Sequence, residues 1–362
     1  MERGDRMAAE VYFADTKAAP GSSLLAKTEQ LFDKAGFAGF INQRDLVALK
    51  VHFGERGNTA FLPPIYVRRV VECVKRAGGR PFLTDANTLY TGGRSNAVSH
   101  LTTALQNGFS YATVNAPVII ADGLNGKDYS EVKVGLKHFA EVRIASAAAQ
   151  ADGLIALSHF KGHEMTGFGG AIKNIGMGLG CRSGKQQMHA DVKPIVDAER
   201  CQACGKCKLW CPTGAITVVG ERAVIDLKKC QGCGECIVTC PEQAIAVNWG
   251  EDSAKIQEKI AEYAFGAVKN KEDKRGFINF IMNVTPDCDC WGYSDAALLP
   301  DIGIAASTDP VALDQASIDL VNKVAGRDVF RSVHPEIDWT VQLSHAESIG
   351  LGKREYKLIE AG

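Results

Sequence analysis

The 362-residue chain has no apolar run near the roughly 18 to 20 residues that cross a bilayer, because Lys, Asp or Gly breaks its hydrophobic stretches every few positions. A soluble protein is expected. Behind Met1-Glu2-Arg3-Gly4-Asp5-Arg6-Met7 there is no apolar segment of the kind that forms a secretory signal, so the expected compartment is the reducing cytoplasm. Charge excess is missing as well. With 41 Lys and Arg against 42 Asp and Glu, the net charge is -1, and neither nucleic acid nor a membrane is an expected partner. Phosphate-binding loops are absent too: Gly180 to Lys185 lacks the spacing and terminal Ser/Thr of a Walker A loop, and no G-x-G-x-x-G is completed from Gly167 or Gly176.

Cysteine, by contrast, is plentiful, at 12 residues. In a reducing compartment, and in a chain long enough to bury a core without staples, thiols in this number point to metal rather than to disulfides. Eight of them fall in two copies of C-x-x-C-x-x-C-x-x-x-C-P: Cys201, Cys204, Cys207, Cys211 with Pro212, then Cys230, Cys233, Cys236, Cys240 with Pro241. The copies are 29 residues apart with every cysteine in register, which reads as a duplication. Gly205 and Gly234 supply permissive backbone inside each turn, and the proline directs the chain away. Zinc ribbons instead pair two well-separated C-x-x-C knuckles.

Each copy resembles the ligand run of the bacterial two-cluster ferredoxins, whose fourth cysteine serves the other cluster. The resemblance implies two [4Fe-4S] clusters, one on Cys201, Cys204, Cys207 and Cys240, the other on Cys230, Cys233, Cys236 and Cys211. Trp210, Ile216, Ile237 and Ile245 are expected to cover them against water.

The rest of the chain alternates strand and helix signals. Leu46 to Phe53 reads as a strand, and Pro63 to Gly78 follows with Val67, Val70, Val71 and Val74 at helical spacing. Pro81 to Asp85, Val118 to Ala121, Leu154 to Leu157, Phe277 to Met282 and Ile302 to Ala305 are further short apolar strands. A helix carrying Leu101, Ala104 and Leu105 follows Asn96, and Asp309-Pro310 caps another that runs through Leu320. The expected fold is a parallel-sheet α/β domain in two parts, residues 1–195 and 250–362, split by a two-cluster ferredoxin-like α+β insertion at 196–249.

Two more features carry chemistry. Residues 158 to 189 are rich in glycine and hold His159, Lys161, His163, Lys173, Arg182, Lys185 and His189, a loop suited to a small anionic ligand held by Lys173 and Lys185. Of the remaining cysteines, Cys73 sits among valines as a core residue. Cys288 and Cys290 follow an apolar strand, where open α/β sheets place their ligands. With Cys181, and one of His159, His163 or His189, they are expected to form a third metal or iron-sulfur centre, with Asp287 and Asp289 ligating or orienting ligands.

Val47 to Glu55, Asp85 to Tyr90, Ser158 to Glu164, Gly167 to Asn174, Cys288-Asp289-Cys290 and Ser307 to Ala312 are similar to the motifs of the domain of unknown function 362 family, in members with a ferredoxin insertion. The expected function is electron transfer from a soluble redox partner through two clusters to a redox or metal site in the α/β domain, as in a ferredoxin-dependent oxidoreductase. The rival is a non-catalytic carrier or assembly protein that binds metal or a partner, and turnover with a reduced-ferredoxin donor separates the two.

Overall fold

The computed structural model describes residues 8–90, 92–189, 194–211, 213–230, 235–242, 244–246 and 253–361. Its centre is set by strands too apolar to face water on either side. Leu154 and Ala156 pack into one hydrophobic cluster while Ile155 and Leu157, pointing the opposite way, pack into another. One strand thus has both faces covered. The sheet has eight strands: β1 (Ala9–Asp15), β2 (Leu46–Val51), β3 (Arg80–Asp85), β4 (Val118–Ile120), β5 (Gly153–His159), β6 (Arg275–Ile281), β7 (Gly303–Ser307) and β8 (Tyr356–Glu360). Their spatial order is β8-β1-β7-β6-β5-β2-β3-β4.

The sheet is mostly parallel rather than wholly so, because β7 runs antiparallel to both β1 and β6. The chain after Ile281 loops through Cys288, with no helix in the loop, and comes back beside the strand it left, running the opposite way, so no crossover is needed. Sequence reading missed β1 and β8. Glu10, Lys357 and Glu360 blunt their apolar pattern, as expected for strands at and beside an exposed edge.

The helix Pro64–Arg76 buries Val67, Val70, Val71, Cys73 and Val74, as its spacing predicts. Ala97–Gln106 is a helix with Asn96 as its N-cap, but it buries His100, Thr103 and Ala104 and leaves Leu105 55% exposed. Asp309 caps Pro310–Ala325 by accepting from the Val311 and Ala312 amides.

Both sides of the cysteine-rich segment contribute strands to the sheet. Within that segment Ile195–Val196 pairs with Ile245–Ala246, Ile216–Val219 with Arg222–Ile225, and two short helices cover Lys206–Leu209 and Glu235–Thr239. No helix among the described residues is long and apolar enough to cross a membrane.

Candidate functional site

The register of β6, β5, β2 and β3 brings four loops to one end of the sheet. His159 is level with Phe280, Leu157 with Val51, and Lys50 with Thr84. The residues that follow, Met282–Cys290, Phe160–His163, His52–Glu55 and Ala86–Tyr90, therefore converge at the carboxyl ends of neighbouring strands.

The loop after β6 is tied down from several sides. The Gly162 amide donates to Thr285 O (2.8 Å), the Glu55 amide to Asp289 O (3.0 Å), the Tyr90 hydroxyl to Cys290 O (3.2 Å), and His334 Nε2 to Pro286 O (3.0 Å). Gly162 is required there, since a Cβ would collide with the Pro286 carbonyl. So held, the loop presents Cys288 and Cys290 to His163, and the ligand atoms of the three lie within 4.8 Å of one another. Twelve cysteines and this group are compatible with a metal centre.

Lys173 Nζ is 3.7 Å from Cys288 Sγ. A hydrogen bond from Cys290, with Lys173 and His163 alongside, holds the Cys288 thiol well below its ordinary range against the opposing effect of burial. Asp289 is paired with other side chains: His159 Nδ1 is 2.8 Å from its Oδ1 and Lys161 Nζ 3.2 Å from its Oδ2. Burial would raise that carboxyl, but His159 and Lys161 hold it well below the usual range. Asp287 lies 4.0 Å from His334 Nε2.

Behind the loop lies a buried charge network that sequence reading did not single out. Lys50 Nζ donates to Asn174 Oδ1 (2.7 Å) and pairs with Asp85 Oδ1 (3.0 Å); burial, partly offset by Asp85, pushes it down to about 8. Arg94 donates to Glu55 Oε2 (3.2 Å), His52 Nε2 (2.9 Å) and the Tyr90 hydroxyl. The available signal was Lys50 itself, a lysine between Leu49 and Val51 in a strand buried on both faces.

The glycine stretch does not stay a loop of free amides. It folds into a hairpin, Lys161–His163 with Gly167–Gly169, and then the helices Ala171–Leu179 and Arg182–Met188. Asp314, from a distant helix, accepts from the Ala171 and Ile172 amides and so occupies the N-terminus of the first. The two lysines expected to share an anion part company: Lys185 Nζ donates to Gly180 O (2.6 Å), whereas Lys173 reaches Cys288. Cys181 is likewise not brought to Cys288 and Cys290. Its Sγ lies 3.2 Å from Ser183 Oγ and accepts from the Gly184 amide, capping Arg182–Met188. His189 is buried, which pushes it down to about 3.

In the cysteine-rich segment, Cys201, Cys204, Cys207 and Cys240 line one cavity. The Ala215 amide donates to Cys211 Sγ (3.2 Å) and the Ala244 amide to Cys240 Sγ (3.3 Å), the same bond 29 residues apart; the Ala223 amide donates to Cys201 Sγ (3.3 Å). Cys230 and Cys236 are described, while Cys233 lies outside the described residues. Ile216, Ile237 and Ile245 are buried beside the cysteines. Trp210 does not cover them: it is 52% exposed and stacks under Lys127 Nζ, 5.2 Å from its ring.

No curated protein matches the chain. Among solved structures, the lactate racemase apoprotein from Thermoanaerobacterium thermosaccharolyticum is similar at 12% identity and a TM-score of 0.40, over 88% of this chain. The match spans 58% of that protein's chain, less than two thirds of its length. The profile described as Domain of unknown function (DUF362) matches residues 47–319, well over half of the sequence, and the chain belongs to that family.

Proposed function

We propose that this is an iron-sulfur electron-transfer protein, in which the two cysteine runs hold two [4Fe-4S] clusters serving a metal centre at Cys288, Cys290 and His163. The observation that carries the reading is that Cys240, from the second run, lines the same cavity as Cys201, Cys204 and Cys207 from the first. That crossing is the ligand pattern of two-cluster ferredoxins. The clusters, when bound, supply one-electron carriers. The protein's share is to aim the Ala223, Ala215 and Ala244 amides at Cys201, Cys211 and Cys240 sulfurs, hydrogen bonds of the kind that tune cluster potential. At the sheet, the hydrogen bond from Cys290, with Lys173 and His163, favours a Cys288 thiolate, the form that binds metal.

A soluble redox protein is the proposed partner, in the reducing cytoplasm where such thiols persist. A small anion is proposed beside Lys173, whose ammonium makes one described hydrogen bond, the long one to Cys288; Lys185, bonded to Gly180, stands apart from it.

Anaerobically prepared protein is expected to hold about eight iron and eight sulfide in these two clusters and to bleach in air. Cys211→Ser should perturb the cluster of Cys230, Cys233 and Cys236 by electron paramagnetic resonance; a loss confined to that of Cys201, Cys204 and Cys207 would overturn the crossed assignment.

A further inference from the structure

Residues 89 and 90 face two different parts of the molecule. Leu89, 3% exposed, belongs to the small apolar cluster of the insertion, with Cys207, Ile216, Cys236 and Ile237. Among the described residues it is the one member of that cluster from outside the insertion. Tyr90 turns the opposite way. Its hydroxyl accepts from Arg94 and donates to the carbonyl of Cys290, a member of the candidate metal group.

The segment leading to this pair is fixed at each step. The Ala86 amide donates to Asp85 Oδ1 (2.9 Å), the Asn87 amide to Asp122 Oδ1 (2.9 Å) and the Thr88 amide to Arg94 O (2.9 Å). Arg94 is itself held by Glu55 and His52. Leu89 and Tyr90 therefore cannot swing independently of the sheet that carries Cys290.

We propose that Leu89 and Tyr90 are positioning residues that couple the cysteine-rich insertion to the Cys288, Cys290 and His163 group, forming a route for electrons that crosses the apolar contact at Leu89, the Leu89–Tyr90 backbone and the Tyr90 hydrogen bond to the Cys290 carbonyl. The proposal rests on the reading under Proposed function. In each transfer one electron leaves the insertion and one metal ion at the group is reduced by one unit. No bond forms or breaks and no proton moves. An external one-electron reductant supplies the electron. Leu89 keeps water out on the insertion side, and Tyr90 pins the Cys290 backbone on the other.

The competing role is a plain hydrophobic plug. To separate the two, anaerobic full-length protein loaded with iron is mixed with one electron equivalent of dithionite, and redistribution is followed by rapid-freeze electron paramagnetic resonance. Tyr90→Phe keeps the ring and removes its hydroxyl; Leu89→Ala opens the insertion side. Each is expected to slow redistribution several-fold, with iron content and the spectra of the fully reduced insertion unchanged. Parental rates in Tyr90→Phe, with iron intact, would overturn the route and leave the iron-sulfur reading standing. An insertion that binds no iron would overturn both.

Discussion

A lysine in the middle of a buried strand must be neutralised or paired, because an isolated ammonium out of water is far costlier than any side-chain packing gain. Lys50 meets this with Asp85 and Asn174, and Gly178 lets it approach, since a Cβ there would lie 2.6 Å from Lys50 Cε. Asp122 is the opposite case. Its Oδ1 accepts from the Asn87 amide and side chain, but among the described residues its Oδ2 has no hydrogen-bond partner, and burial pushes the carboxyl up to about 6 against the pull of Lys185. The folded value lies above the unfolded one, so between about pH 4 and 6 the folded chain binds the extra proton, and Asp122 withdraws stability as pH rises through that window. Asp122→Asn keeps the Oδ1 acceptor and removes the charge. Relative to the parent, the variant should therefore gain ~3 kcal/mol between pH 4 and pH 7, measured by urea unfolding; a difference flat in pH would show that Asp122 is solvated. Such residues are hard to find beforehand, because nothing near Asp122 in sequence reveals Lys185 or Asn87 beside it.

At the scale of elements, strand and helix positions were largely legible, since apolar runs in β2, β3, β5 and β6 and the valine spacing of Pro64–Arg76 are local signals. The glycine stretch was not. Its composition suggested an open loop, but Phe160 and Phe168 are fully buried with ring centroids 5.5 Å apart, and Asp314 caps the helix that follows. The cap is a long-range contact, 143 residues away in sequence. Glycine here serves close packing, most clearly at Gly162 against the Pro286 carbonyl. Gly162→Ala should push the Thr285 to Cys290 loop outward and weaken cobalt or zinc binding at Cys288 and Cys290 by about tenfold, ~1.4 kcal/mol. Thiolate-to-cobalt absorption measures this, and iron in the insertion should be unaffected. Unchanged cobalt affinity would mean that the loop has slack.

For the whole molecule, the two regions differ in how much core they own. The sheet is covered by apolar clusters on both faces, whereas the insertion buries Ile216, Ala223, Ile237, Ile245 and the borrowed Leu89 around its cysteines. On the proposed cluster reading, so small a core leaves stability to the metal. Chelation of iron should accordingly abolish structure in the insertion alone: hydrogen exchange should rise across 195–246 while the amides of β2, β5 and β6 stay protected, and a chelated protein with an unchanged exchange map would refute this. The cysteine repeats, their register and the strand-helix alternation could be read from sequence alone, because a C-x-x-C turn and an amphipathic period are set by neighbours a few residues away. Tertiary structure decided the rest. His163 joined Cys288 and Cys290, and Cys181 did not, because β5 lies beside β6 and an intervening helix carries Cys181 away to cap the next one. Leu89 entered the insertion's core for the same kind of reason: which strand ends are neighbours depends on the order of strands in the sheet, a long-range property that no local spacing encodes.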